Sequence, residues 1–176
     1  MPVAKRVCGS CTACCKVPEL ITREYYKPPG VWCKHCNPGR GCSIYADRYT
    51  ECQAFMCQWL LGFGSEEERP DRCHYMLDFT TTDPTGPEMP VLEGAERLET
   101  SLNIWEVSEG ALENKGRRVM EITEEIAGQG ISVLHIPLRG RAQLFQFVQG
   151  VLKSENVQPH YFGDIYAKEK IVSRKG

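Results

Sequence analysis

All ten cysteines of this 176-residue chain fall within its first 73 residues, and none follows Cys73. They open as Cys8-x2-Cys11-x2-Cys14-Cys15 and continue as Cys33-x2-Cys36-x5-Cys42-x9-Cys52-x4-Cys57, with Cys73 trailing. Two thiols separated by two residues can bend back onto one ion, because a tight turn brings both sulfurs to one side. One such pair is weak as a signal. Two pairs with several further cysteines form a strong metal–thiolate pattern.

The other use of so many cysteines is a disulfide framework, and that belongs to secreted chains. The stretch Met1-Pro2-Val3-Ala4-Lys5-Arg6-Val7-Cys8 has no apolar run behind its positive charges, so it does not read as a secretory signal. No apolar run is long enough to span a bilayer. The expected setting is the cytosol, where thiols stay reduced. Hydrophobic residues make up 41% and charged residues 25%, as in ordinary globular proteins, and the net charge is -2. Residues 1–75 carry ten Lys/Arg against eight Asp/Glu, and residues 76–176 carry eleven against fifteen. Neither half offers the basic field that a nucleic-acid binder needs.

Residues 1–75 and 76–176 read as two units. The first is poor in periodicity and rich in turn formers, as at Pro28-Pro29-Gly30 and Asn37-Pro38-Gly39-Arg40-Gly41. It holds too little apolar material to fold by burial alone, so ligation would supply the missing stability. One helix is expected there, over about residues 51–61. Thr50 and Gln53 make a capping-box pattern, Phe55, Met56, Trp59 and Leu60 repeat at helical spacing, and Gly62 and Gly64 follow. Ser65 to Pro70 reads as a charged joint whose three glutamates face water.

After the joint, strands are expected over 75–80, 89–92, 102–107, 131–136 and 142–148. A turn is expected at 83–87 and a helix over 116–127. The residues from Lys153 onward are polar and read as a tail that wraps or frays. The fold class is therefore α+β: an irregular, metal-stapled cysteine module with one clear helix, followed by a small sheet with a helix.

Four sulfurs complete either a tetrahedral zinc site or an ordinary cubane cluster, so ten cysteines allow two sites with two left over. Adjacent side chains rarely converge on one ion, so one of Cys14 and Cys15 joins Cys8 and Cys11. On a regular helix Cys52 and Cys57 would lie about 140° apart and would not chelate one ion by themselves. The bacterial ferredoxin run continues with x3-Cys-Pro, and this chain does not. All-sulfur ligation suits zinc and iron–sulfur equally. Cys73 stands outside the pattern and reads as a core residue, and His135 reads as a satisfied residue of an apolar strand. His35 is expected to point away from the ion. His74 is a minor ligand candidate, and His160 lies in the tail.

The run Cys8-x-x-Cys11-x-x-Cys14-Cys15, with Gly41-Cys42-Ser43-Ile44-Tyr45, Arg48 and Cys52-x-x-Phe55-x-Cys57-x-Trp59-Leu60, resembles the signature of the CxxCxxCC family of YkgJ-like cysteine-cluster proteins. The resemblance covers residues 8–60. Family members usually carry Pro where Tyr49 stands and Arg where Gln53 stands. The resemblance implies a zinc- or iron-chelating domain. Some such domains occur in protein-modifying enzymes such as flagellin lysine methylases, but no matching catalytic motif is found here.

The expected ligands are Cys8, Cys11, Cys14, Cys15, Cys33, Cys36, Cys42, Cys52 and Cys57. The expected function is a cytosolic protein that holds zinc or an iron–sulfur cluster. Two alternatives stay open: an iron–sulfur-dependent redox or protein-modifying enzyme, and a zinc-ribbon adaptor that binds another protein. No nucleic-acid or membrane partner is expected.

Overall fold

Turns and two-residue ladders make up most of residues 6–74. A computed structural model describes residues 6–81, 91–96 and 100–158. In chain order the elements are α1 (Ala13–Lys16), β1 (Leu20–Ile21), β2 (Tyr26–Lys27), β3 (Cys36–Asn37), β4 (Gly41–Cys42) and α2 (Thr50–Ala54). A 3-10 turn, Glu66–Glu68, and α3 (Pro70–Cys73) then lead into β5 (Tyr75–Thr81) and β6 (Thr100–Glu106). The remaining elements are α4 (Ala111–Asn114), α5 (Gly116–Ala127), β7 (Ser132–Ile136), β8 (Ala142–Val148) and β9 (Val151–Val157). Helices and sheets are both present, so the fold is α+β.

Five strands pair in the order β5-β6-β7-β8-β9. All neighbours are antiparallel except β6 and β7, which run parallel because α5 carries the chain back between them. Alternation along the strands gives the sheet two buried faces. Tyr75, Leu77, Leu102, Ile104, Val133 and Phe145 meet Val119, Ile122 and Ala127 of α5 on one face. The opposite face splits in two. Leu134, Ile136, Ala142, Leu144 and Val148 pack with Leu92, while Met76 and Trp105 pack with Ala13, Val17, Cys57 and Trp59 of the cysteine module. The module is thus seated on the sheet, and Gln58 N–H donates to the Leu77 carbonyl at 2.8 Å.

Several expectations need correction. The helix expected over 51–61 stops at Ala54. Phe55 turns extended (φ -74, ψ 124), and the chain runs on to hydrogen-bond β5 through Gln58. Tyr49 is the N-cap rather than Thr50, and the Gln53 amide donates to the Arg48 carbonyl at 2.8 Å. The true capping box comes later: Ser65 Oγ accepts from Glu67 N–H at 3.2 Å, and Glu68 accepts from Ser65 N–H at 3.0 Å. Nor do all three glutamates simply face water, because Glu68 pairs with Arg118 of α5 at 2.8 Å and accepts from the Tyr75 hydroxyl at 3.3 Å. Of the residues expected to wrap or fray, 153–157 instead belong to β9, an edge strand paired to β8 along its whole length, and 159–176 lie outside the described residues. Val91 and Leu92 lie in no strand. The turn at 83–87, residues 89–90 and His160 lie outside the described residues. The strands expected near 75–80, 102–107, 131–136 and 142–148 and the helix over 116–127 are present.

His135 carries a consequence for acid stability. It is 8% exposed, its Nε2 lies 2.7 Å from Thr123 Oγ, and its ring lies 4.3 Å from that of Phe145. The Thr123 hydroxyl donates to the Val119 carbonyl at 2.8 Å, so Nε2 is the donor of the His135 pair. Burial lowers the imidazole pKa from 6.5 to about 4. Between those two values the unfolded chain takes up a proton that the folded chain refuses. Stability should therefore fall as pH drops from 6.5 toward 4, by up to about 3 kcal/mol from this group. Urea titrations of His135→Gln across that window should show a shallower fall than the natural chain.

Candidate metal centre

Both Cys-x2-Cys pairs close in the same way. Cys11 N–H donates to the Cys8 carbonyl at 2.9 Å, and Cys36 N–H donates to the Cys33 carbonyl at 2.9 Å. Each bond closes a tight turn between the two cysteines of its pair. Gly9 permits the first, with φ +55. Beyond the second pair, Pro38 and Gly39 (φ +72) turn the chain back, so that Cys36 and Cys42 stand directly opposite across β3 and β4. Directly opposed residues of an antiparallel pair point to one face.

Three bonds bring these pieces together. Gly39 N–H donates to Thr12 Oγ at 3.2 Å, which seats the hairpin on the residue before α1. Cys33 N–H donates to the Cys15 carbonyl at 2.8 Å. Arg69 joins Ser10 at 3.2 Å while its guanidinium grips Asp71 at 2.6 and 2.7 Å, tying the Cys8–Cys11 loop to the joint.

The result is a cavity of about 780 Å³. Eight thiols line it: Cys8, Cys11, Cys14, Cys15, Cys33, Cys42, Cys52 and Cys57. They come from three stretches of chain, 8–15, 33–42 and 52–57. Cys36 is not on that lining, but it stands opposite Cys42, which is, across β3 and β4. All ten cysteines are free thiols. Because α2 ends at Ala54, Cys52 and Cys57 do not share a helix, and the angular argument against their cooperation does not apply.

The thiols fall into two neighbourhoods. Cys52 and Cys36 each feel the charge of Cys15, Cys33 and Cys42. Cys8 feels Cys57 first among charged groups, then Arg48 and Cys15, and Cys11 feels Asp71 and Cys57. Burial is the main cause that pushes Cys11 and Cys52 up to about 11 and Cys36 up to about 12. For Cys15 the hydrogen bond with Cys14 leads, followed by burial, and its pKa also rises. Without a cation these thiols stay protonated at neutral pH. Ligation would have to displace their protons, as thiolate binding to a metal does.

Among the described residues, no group of three or more Cys, His, Asp or Glu side chains is arranged to hold a metal ion. What the fold provides is convergence, not a closed coordination sphere. The donor chemistry nevertheless fits a thiophilic metal: eight sulfurs outnumber the other donors on the lining, His35, Glu19 and Glu51, and zinc and iron–sulfur clusters both take thiolate ligands.

Cys73 stands apart. It is 5% exposed in the core under α5, with Sγ 3.1 Å from the Tyr75 carbonyl and 3.4 Å from that of Glu68. Cys73→Ser should therefore leave metal content unchanged while lowering stability by about 1–2 kcal/mol, the cost of a hydroxyl in an apolar site. Metal content as high as in the natural chain, together with a lower melting temperature, is the expected pair of results. His74 caps α3 in the left-handed region (φ 66), and its Nδ1 meets Ser108 Oγ at 3.1 Å. His35, expected to point away from the ion, lines the thiol cavity, and its Nε2 meets the Tyr49 hydroxyl at 3.3 Å.

One residue of the site was not legible in the sequence. Lys27 of β2 lines the same cavity and is 1% exposed. Burial is the main cause that lowers its pKa to about 8, against the opposing pull of the thiols. A lysine between Tyr26 and Pro28 gives no sign of burial.

Set beside known proteins, the chain matches no family model, no curated protein and no solved structure. The resemblance of residues 8–60 to the cysteine-cluster family therefore rests on those residues alone. No helix among the described residues is long and apolar enough to cross a membrane.

Proposed function

We propose that this chain is a metal-binding protein that holds zinc or an iron–sulfur cluster through its N-terminal thiols, in a reducing compartment such as the cytosol. One observation carries the reading: eight thiols from three separate stretches of chain line a single cavity. Gathering eight thiols on one cavity, two of them buried and six half-buried, has no packing advantage over ordinary apolar side chains, whereas a thiophilic metal requires it.

The size of the cavity favours a second reading, in which the centre also receives a small molecule. A tetrahedral structural ion is closed in by its four ligands. A space of about 780 Å³ lies in the range of small-molecule sites and holds more than one such ion needs. This reading makes the protein a redox or protein-modifying enzyme with an iron–sulfur centre. A zinc-ribbon adaptor would need no such space.

Anaerobic purification followed by metal and acid-labile sulfide analysis tests both. Stoichiometric zinc supports the first reading in its structural form. Several irons with matching sulfide support the second. Folded, fully reduced protein that carries no metal would refute both.

A further inference from the structure

Lys27 heads the fully buried large side chains of the described residues, at 1% exposed. It stands opposite Leu20 in the β1–β2 ladder. Its three N–H bonds all go to backbone carbonyls: Lys16 at 3.0 Å, Pro28 at 3.1 Å, and Pro18 at 2.5 Å. Carbonyls solvate an ammonium but bring it no negative charge. Taking such an ion out of water costs several kcal/mol unless an opposite charge stands near.

Lys27 lines the same cavity as Cys14, Cys15, Cys33 and Cys52. A thiol is neutral while it keeps its proton and anionic once it ligates. The fold thus buries a cation where four potential anions meet. A divalent ion held by four thiolates carries two net negative charges, and that charge is itself costly to bury.

Resting on the metal-binding reading above, we infer that Lys27 is the built-in counter-ion of the centre, a positioning residue whose buried ammonium offsets the negative charge of the ligated thiols around it. Two of the three carbonyl bonds tie β2 to Lys16 and Pro18, directly after the α1 residues Cys14 and Cys15. Charge and clamp are therefore separable roles of one side chain.

Cobalt(II) is the probe, because each bound thiolate contributes to its sulfur-to-metal absorption. Natural chain, Lys27→Gln and Lys27→Arg are titrated to saturation without oxygen. Glutamine keeps two N–H donors but no charge, and arginine keeps the charge. If Lys27 is the counter-ion, the glutamine variant binds cobalt about tenfold more weakly. One ligand then keeps its proton, and the saturated band falls to about three quarters of the natural intensity. The arginine variant recovers the full band. Lys27→Met, of similar length and with no charge to bury, gives the same comparison if the glutamine variant does not fold. Full intensity at saturation in a neutral variant, at whatever affinity, overturns the inference and leaves Lys27 a clamp. No thiolate band in the natural chain overturns the metal-binding reading itself, so the two failures are distinct.

Discussion

Stripping the metal with a chelator should unfold residues 8–60 while the five-stranded sheet stays folded. The module has little else to hold it. Its ladders are two residues long and its helices four or five, far below the length at which either stands alone in water. The buried cluster it shares with the sheet contains Ala13, Val17, Cys57, Trp59 and Met76, of which one is a thiol and one belongs to β5. The sheet has its own core on both faces. Hydrogen exchange reads the outcome amide by amide. The Cys33 amide, bonded to the Cys15 carbonyl, should lose protection after chelation, and so should the Cys36 amide, bonded to Cys33. Amides of β6, β7 and β8 should keep theirs. Slow exchange in the module after metal removal would show that burial alone holds it together.

The second large effect is expected at the centre of the sheet. Ile104 is 0% exposed and stands between Leu77 of β5 and His135 of β7. It faces α5, away from the thiols. Ile104→Ala should cost about 3–4 kcal/mol, the lost transfer energy together with the cavity left behind. In a domain of this size that lowers the melting temperature by roughly 10 °C. Metal bound per folded chain should not change. Thermal melts and metal analysis on the same preparation check both halves of the prediction. Loss of metal in a still-folded variant would mean that the thiols depend on the α5 face of the sheet.

Periodicity made the second half of the chain readable. The alternation in 75–80 and 142–148 and the spacing of Val119, Ile122 and Ile126 each report a side facing a core. β9 was missed because it is an edge strand. Lys153, Ser154, Glu155 and Asn156 face water and carry no alternating apolar signal, as suits a strand that must resist further pairing. The error at 51–61 has the opposite cause. Phe55, Met56, Trp59 and Leu60 repeat at helical spacing, but they line the thiol cavity and the seam with the sheet from turns. Only the backbone bond of Gln58 to β5 decides where the helix ends. The cysteine spacing announced that the thiols would gather. It could not announce the docking of the 36–42 hairpin against Thr12. Nor could it reveal Lys27, whose ammonium is held by the carbonyls of Lys16 and Pro18 at the end of α1 and of its neighbour Pro28.

Native mass spectrometry of the chain, prepared and sprayed without oxygen, tests the central claim most directly. The account predicts a folded charge distribution at a mass above that of the bare polypeptide. The increment should match zinc, or iron with inorganic sulfide, less the protons displaced from the ligating thiols, and it should vanish after acid denaturation. A folded distribution at the bare mass, with all ten cysteines reduced, would contradict it.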